Sequence, residues 1–425
     1  MAAAMGTTIP RDLPAVLAPP LRVSFSWTLG GNLIFALCQF GMLFALAKLG
    51  NASIVGQYAL ALAIAAPVFM LTNLQLRAVE ATDARHEYRF ADYFTLRAIS
   101  TLLGIMAIAG IAGVLRCDHG TKTLIILVAC AKAVESISDV IAGHLQKFER
   151  LDQVARALML RGMAALGTFA FAFWYTRNLV VAVAAQAITW MGTVALYDFR
   201  MVTQMLGARP KFFHFCRKTL QSMILISWPL GLVMTLGSLN TNLPRYILER
   251  KLGTAELGIF ASLAYLLTAI GLIVVALGQS VSTRMSRQFA EGNVCGFRWL
   301  LTKLVGFATV LGVSGLGITL LAGRPVLAIV YRQQYAEHVD LLLVMVATAS
   351  LNAIASFLGF AMTAAHCFRA QLPVMGATLA TTFALTLALV PRFGLMGAGY
   401  ALLIAAAVQS AASYLVLTSA IGRLV

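Results

Sequence analysis

Apolar residues run along this chain in blocks, and polar residues gather in the short gaps between them. Several blocks exceed 18 residues without a charge, enough to cross about 30 Å of hydrocarbon as a helix rising 1.5 Å per residue. The pattern predicts twelve helical spans, at 25–47, 55–76, 94–115, 121–144, 157–176, 179–197, 219–243, 256–281, 300–322, 338–364, 371–390 and 395–419. No gap between them is long enough to fold as a catalytic domain. Whatever the chain does must happen inside a helical bundle.

The blocks repeat. Ser26-Trp27-Thr28-Leu29-Gly30 opens one that closes with Lys48-Leu49-Gly50-Asn51-Ala52 and Gly56-Gln57-Tyr58-Ala59. Ser227-Trp228-Pro229-Leu230-Gly231 opens a second, closing with Lys251-Leu252-Gly253-Thr254-Ala255 and Gly258-Ile259-Phe260-Ala261. The shift is 201 residues from Trp27 to Trp228 and 203 from Lys48 to Lys251. Two ordered anchors at nearly one offset, close to half the length, predict an internal duplication. Six spans per half is even, so both copies enter the membrane from the same side and the repeat is parallel. The expected fold is an all-α polytopic membrane protein with two six-helix lobes. They divide as a tail at 1–21, an N-terminal lobe at 22–200, a linker at 201–218 and a C-terminal lobe at 219–425.

Composition strengthens the membrane reading. Of 425 residues 60% are hydrophobic and 11% charged, against about 45–50% and 25% in soluble domains. The net charge of +16 is spread through short loops rather than clustered, and no nucleic-acid module is visible. Of the 32 Lys and Arg, 21 fall on one side of the predicted spans and 10 on the other, with Lys132 inside a span. The richer side is cytoplasmic by the positive-inside rule, which places both termini there, in a multi-pass protein expected in the plasma (inner) membrane. The tail lacks a signal-peptide pattern. Six scattered cysteines without CxxC spacing support neither a metal site nor a disulfide framework. No GxxxxGK[ST], GxSxG or HExxH occurs, so no nucleotide, cofactor or catalytic role is expected.

Ionisable groups at membrane depth cost about 2.5–3.5 kcal/mol each and need a reason. Lys132, Glu135 and Asp139 recur at spacings of three and four, one stripe of a helix, with His144 just beyond. One reading makes Lys132 a site for an anionic head group and Glu135 or Asp139 the proton or cation carrier. The other has Lys132 and Glu135 neutralise each other while Asp139 pairs with a neighbouring helix. In the second copy, Asn240, Asn242 and Arg245 surround Pro244, where a break or kink is expected. They read as ligands for sugar hydroxyls and phosphate, or else Arg245 snorkels and pairs with Glu249. Arg77 serves a head group at the cytoplasmic mouth or anchors a helix end. Pro67 is a second candidate kink. Gln186, Gln279, Asn352, His366 and Gln409 read as interhelical hydrogen bonds.

The segments SLNTNLPRYILERKLGTAELGIFASLAYL (238–266), GHLQKFERLD (143–152), LQLRAVEATDAR (74–85) and LGFAMTAAHCFRAQLP (358–373) resemble the polysaccharide-transporter branch of the MOP exporter superfamily. Its members are bacterial flippases for lipid-linked oligosaccharides, distant relatives of MATE drug exporters and of the lipid II flippase. The resemblance implies two lobes in a V around a central cavity. It also implies turnover of a polyprenyl-diphosphate-linked glycan by alternating access, with the bilayer and assembly enzymes as surroundings. The alternatives are a MATE-like drug or small-lipid exporter, or a membrane glycan polymerase or ligase. The last is disfavoured by the absence of a large outward loop.

Overall fold

The structure is a computed structural model that describes residues 21–421 except 84–86, 116, 208–210 and 366. The expected tail falls outside the described residues apart from Leu21. So do His366, the side chain of Gln279, and Arg11, Arg85, Arg116, Arg209 and Arg423 of the charge count.

The first half holds α1 (Leu21–Leu49), α2 (Ala52–Thr72), α3 (Leu76–Thr82), α4 (Phe90–Val114), α5 (His119–Lys147), α6 (Leu151–Thr176), α7 (Leu179–Thr193) and α8 (Phe199–Leu206). The second holds α9 (Arg217–Leu252), α10 (Thr254–Leu266), α11 (Thr268–Ala290), α12 (Val294–Val330), α13 (Gln333–Ala336), α14 (Val339–Ala364) and α15 (Phe368–Ile421). No strand occurs among the described residues. Nine of their helices are long and apolar enough to cross a membrane, or ten if the bent pair α10–α11 counts as one span.

The difference from twelve has two sources. α5 is 29 residues long but carries Lys132, Glu135 and Asp139, too much charge for an apolar span. The spans expected at 371–390 and 395–419 both fall in α15, whose helical backbone is interrupted at Gly394 (φ 56°, ψ −134°). The break expected at Pro244 does not form. α9 runs 36 residues through both Pro229 and Pro244.

The two copies of the repeat meet along one seam. The hydroxyls of Ser53 and Thr254 share a hydrogen bond of 2.8 Å. Gly56 of α2 and Gly258 of α10 cross so closely that a Cβ on Gly258 would lie 2.8 Å from the Ala52 carbonyl carbon and 2.9 Å from the Gly56 nitrogen. Only glycine, lacking that carbon, permits the crossing. Arginines from each half strap the same helix end. Arg177 donates to the Leu49 carbonyl and Arg332 to the Lys48 carbonyl, each at 2.6 Å, which satisfies acceptors that α1 leaves open at its C-terminus. One apolar core continues across the seam, with Leu43, Val55 and Phe173 from the first half and Leu248, Leu257 and Tyr331 from the second. The Tyr246 hydroxyl donates to the Ala63 carbonyl. In the expected linker, α8 occupies the first part, and His214 ties the rest to α4 through the Thr95 hydroxyl (2.9 Å) and Asp92 carboxylate (2.6 Å).

Candidate functional site

The site begins where α2 stops. Leu74 and Gln75 adopt left-handed backbone, φ 50° and 51°, a conformation uncommon for residues with side chains and costing of order 1–3 kcal/mol each. The surroundings hold the turn. Arg97 donates to the Asn73 carbonyl at 3.0 Å, and the Ser136 hydroxyl donates to the Asn73 side-chain oxygen at 2.7 Å. The chain thereby reverses and lays α3 on α5. Gly143 sets the approach, because a Cβ there would lie 3.1 Å from the Arg77 Cα and 3.2 Å from the Glu80 carboxylate.

Three helices then converge on one carboxylate. Asp139 of α5 pairs with Arg97 of α4 at 3.0 Å and with Arg77 of α3 at 3.4 Å. Arg77 also donates to Gln146 at 3.2 Å. One turn away, Lys132 and Glu135 pair at 2.7 Å. These groups border a cavity of about 590 Å³ lined by Lys132, Glu135, Asp139, Arg77, Asn73 and Gln75. The Lys132 and Glu135 side chains remain 26% and 31% exposed to it. Among the lining side chains the cations Lys132 and Arg77 balance the anions Glu135 and Asp139, and the wholly buried Arg97 stands behind Asp139. An anionic group arriving here meets cations already held in place, and it must compete with Asp139 for Arg77.

The expected stripe of Lys132, Glu135 and Asp139 thus lines one cavity, and its charges make the pairings of the second reading, with one another and with neighbouring helices. Arg77 is not a free anchor, since it reaches into α5. The structure does not bring Arg245, Asn240 or Asn242 to this cavity. Arg245 donates to the Asn242 side-chain oxygen at 3.1 Å and lies over the Tyr265 ring at 5.8 Å. Asn242 donates to the Ser238 carbonyl, and Asn240 accepts from Thr382. The unbroken α9 keeps these polar groups within its own turns and against α15. No ion pair joins Arg245 to Glu249 among the described residues. No cluster of His, Cys, Asp and Glu suited to a metal occurs among them either.

Sequence reasoning missed three buried charges. Arg97 is wholly buried and was counted only as a cytoplasmic cation. Arg161 and Asp198 border an adjoining cavity of about 180 Å³ that also touches Arg77, Glu135 and Asp139. Asp198 ends a π turn, Val194–Asp198, and accepts from the Ser138 hydroxyl at 2.5 Å. That turn carries the helix past the predicted span edge at 197, a common irregularity near functional sites. Arg161 lies over Phe35 and Trp190, at 5.8 and 5.9 Å, and its Nε and Nη1 lack hydrogen-bond partners.

Comparison with known proteins places this arrangement. The sequence model of the family described as polysaccharide biosynthesis protein matches residues 21–287, well over half of the 425 residues. The chain belongs to that family. The chain is 25% identical over 376 residues to the capsular polysaccharide biosynthesis protein CapF of Staphylococcus aureus, across 88% of this chain and 93% of that relative. Its fold is similar to that of the lipid II flippase MurJ in an inward closed conformation (TM-score 0.76, 10% identity, covering 95% of this chain and 90% of that one). It is also similar to the Vibrio cholerae MATE transporter VcmN (TM-score 0.65, 12% identity, covering 95% and 96%). A third likeness is to a Pyrococcus furiosus MOP superfamily transporter described as having a binding pocket of reverse polarity (TM-score 0.63, 13% identity, covering 94% of each). At these identities the likeness speaks for the fold. The chain is a multi-pass membrane protein whose fold is similar to theirs.

Proposed function

We propose that this protein is a flippase that carries a polyprenyl-diphosphate-linked oligosaccharide from the inner to the outer leaflet of the bacterial inner membrane. The glycan is destined for O-antigen, capsule or exopolysaccharide. The observation that carries the reading is the cavity bordered by the cations Lys132 and Arg77 in a chain of the polysaccharide biosynthesis family. A diphosphate needs fixed cations there, and Lys132 and Arg77 offer them at the surface of the cavity with Arg97 behind. The buried Arg97 adds a cation behind a wall whose lining charges balance, which favours an anionic lipid over a cationic drug. The names of CapF and MurJ agree with such a substrate.

The mechanism we favour is alternating access between lobes at 22–200 and 219–425, joined by the linker at 201–218. The seam at Gly56 and Gly258 lies at the end of the bundle that the charge bias assigns to the outside, and the charged cavity lies toward the other end. The conformation is then closed outward, with both termini cytoplasmic. Glu135 and Asp139 are the groups through which a proton or cation is coupled, since each is released when its basic partner turns to the diphosphate. The lipid bilayer and the enzymes that build and consume the glycan are the partners. A deletion strain complemented with Lys132→Ala or Arg77→Ala tests the reading. The expected result is loss of surface glycan at normal protein level, with the lipid-linked unit accumulating on the inner leaflet. Normal export by both variants refutes it.

A further inference from the structure

Each lobe holds cavities at equivalent positions of the duplication, and their chemistry differs. On α5 the positions facing the first-lobe cavities include one run of helical face, 128, 131, 132, 135, 136 and 139. On α14 the positions facing a cavity of about 360 Å³ in the second lobe are 345, 348, 349, 352, 353 and 356. The two sets are related by one shift of 217 (345 less 128) at every position. Gln39 on α1 and Thr241 on α9 match in the same way, by the 202 residues that separate them. Lys132, Glu135 and Asp139 therefore correspond to Ala349, Asn352 and Ser356. The second cavity is the uncharged twin of the first.

No described ionisable side chain lines it. Its polar groups are the hydroxyls of Thr241, Thr268, Thr348 and Ser356 and the amide of Asn352. Thr241 and Thr348 bond back to their own helices, to the carbonyls of Gly237 (3.1 Å) and Val344 (2.8 Å). Asn352, Ser356 and Thr268 have no hydrogen-bond partner among the described residues. The sequence had suggested an interhelical bond for Asn352, and the structure turns it to the cavity instead. An amide offers two donors and an acceptor, and at membrane depth such capacity is costly when nothing answers it. A hydrocarbon chain would leave it unanswered, and an ion would find no opposite charge. A neutral ring bearing hydroxyls matches both the polar groups and the apolar walls around them. The volume lies within the range of about 300–1,000 Å³ typical of small-molecule sites.

We propose that this cavity is a glycan subsite, in which Asn352 and Ser356 hydrogen-bond a neutral sugar ring of the lipid-linked substrate. The duplication has divided recognition between its copies: the charged cavity takes the diphosphate and its neutral twin takes sugar. This assignment rests on the flippase reading above and adds where specificity for the glycan resides.

Binding to the purified full-length protein tests it with two probes. One is the lipid-linked glycan extracted from the strain that carries the gene, and the other is polyprenyl diphosphate without sugar. Asn352→Leu is expected to weaken the glycan-bearing probe roughly 5- to 10-fold, as loss of a hydrogen bond does, and to leave the bare probe within about 2-fold. Ser356→Ala, a smaller change, is expected to act in the same direction, and Asn352→Ser to recover part of the loss. Lys132→Ala is expected to weaken both probes. Equal weakening of both probes by Asn352→Leu and Ser356→Ala would mean that the cavity holds the lipid chain or only supports the fold, and the proposal fails. It fails also if neither variant weakens either probe, or if the wild type binds the bare probe as tightly as the glycan-bearing one. A wild type that binds neither probe overturns the flippase reading itself, and the subsite with it.

Discussion

Alanine at Gly56 or Gly258 places a methyl group where two helix backbones touch. A Cβ on Gly258 would overlap the Ala52 carbonyl oxygen outright and lie 2.8 Å from its carbon, so α2 and α10 must part by well over the 0.6 Å that the carbon alone would require to reach the ordinary 3.4 Å. The obstructing atoms are backbone, so no side chain can swing aside. Overpacking of this kind costs about 1–3 kcal/mol, which for a two-state protein shifts the population away from the closed seam by about 5- to 150-fold. The seam can be read by cross-linking. Ser53→Cys and Thr254→Cys, in a chain whose six native cysteines are replaced, put thiols where the hydroxyls are now 2.8 Å apart. The parent pair should cross-link rapidly. Adding Gly56→Ala should slow cross-linking at least 5-fold, with no comparable effect from Gly110→Ala, where an added Cβ meets nothing within 4 Å. An unchanged rate with Gly56→Ala, or an equal fall with Gly110→Ala, would refute the idea that the crossing gates the seam.

Arg97→Met should destabilise the protein by about 3 kcal/mol, the low end for a broken buried pair, because Asp139 keeps Arg77 and some exposure to the cavity. Arg97→Lys should recover only part of this, since one ammonium cannot span both the Asn73 carbonyl and the carboxylate as the guanidinium fork does. Thermal unfolding in detergent measures both. Gly143→Leu should push α3 off α5, separate Arg77 from Asp139 and abolish export at normal expression, whereas Gly167→Leu, which has open space around it, should export normally. Just beyond α3, burial opposes ionisation of Asp83, but the N–H groups of Glu87 and Tyr88 and the Lys147 ammonium outweigh it and hold the carboxyl below its ordinary 3.8. A carboxylate lowered in this way stabilises the turn above its unfolded value and is lost only as pH falls through the folded one. Hydrogen exchange at the Glu87 and Tyr88 amides, corrected for intrinsic rates, should therefore stay protected from pH 8 to about 5 and rise only below about 4. A transition near pH 6 would refute this.

The duplication was legible because its anchors carry residues the seam requires. Gly56 and Gly258 appear in both copies of the motif, and the structure places them against each other. The α5 stripe was legible because helical spacing alone puts Lys132, Glu135 and Asp139 on one face. Their partners were not, because Arg97 and Arg77 reach Asp139 from helices distant in sequence, and the turn that aims Arg77 depends on left-handed residues at Leu74 and Gln75 that local preference would not suggest. Asp198 stayed hidden because a π turn extends its helix beyond the periodic pattern. At Pro244 a break or a kink was open from the sequence; the break does not form, since α9 continues through it, and the polar residues around it are taken up by local and interhelical hydrogen bonds.

The paired glycines also bear on how such a chain evolves. Bare backbone on one half has to face bare backbone on the other, so enlarging residue 56 is felt at 258 as directly as a change at 258 itself. The two descendants of the original unit could drift apart in charge, as their cavities did, while remaining locked together at this one crossing.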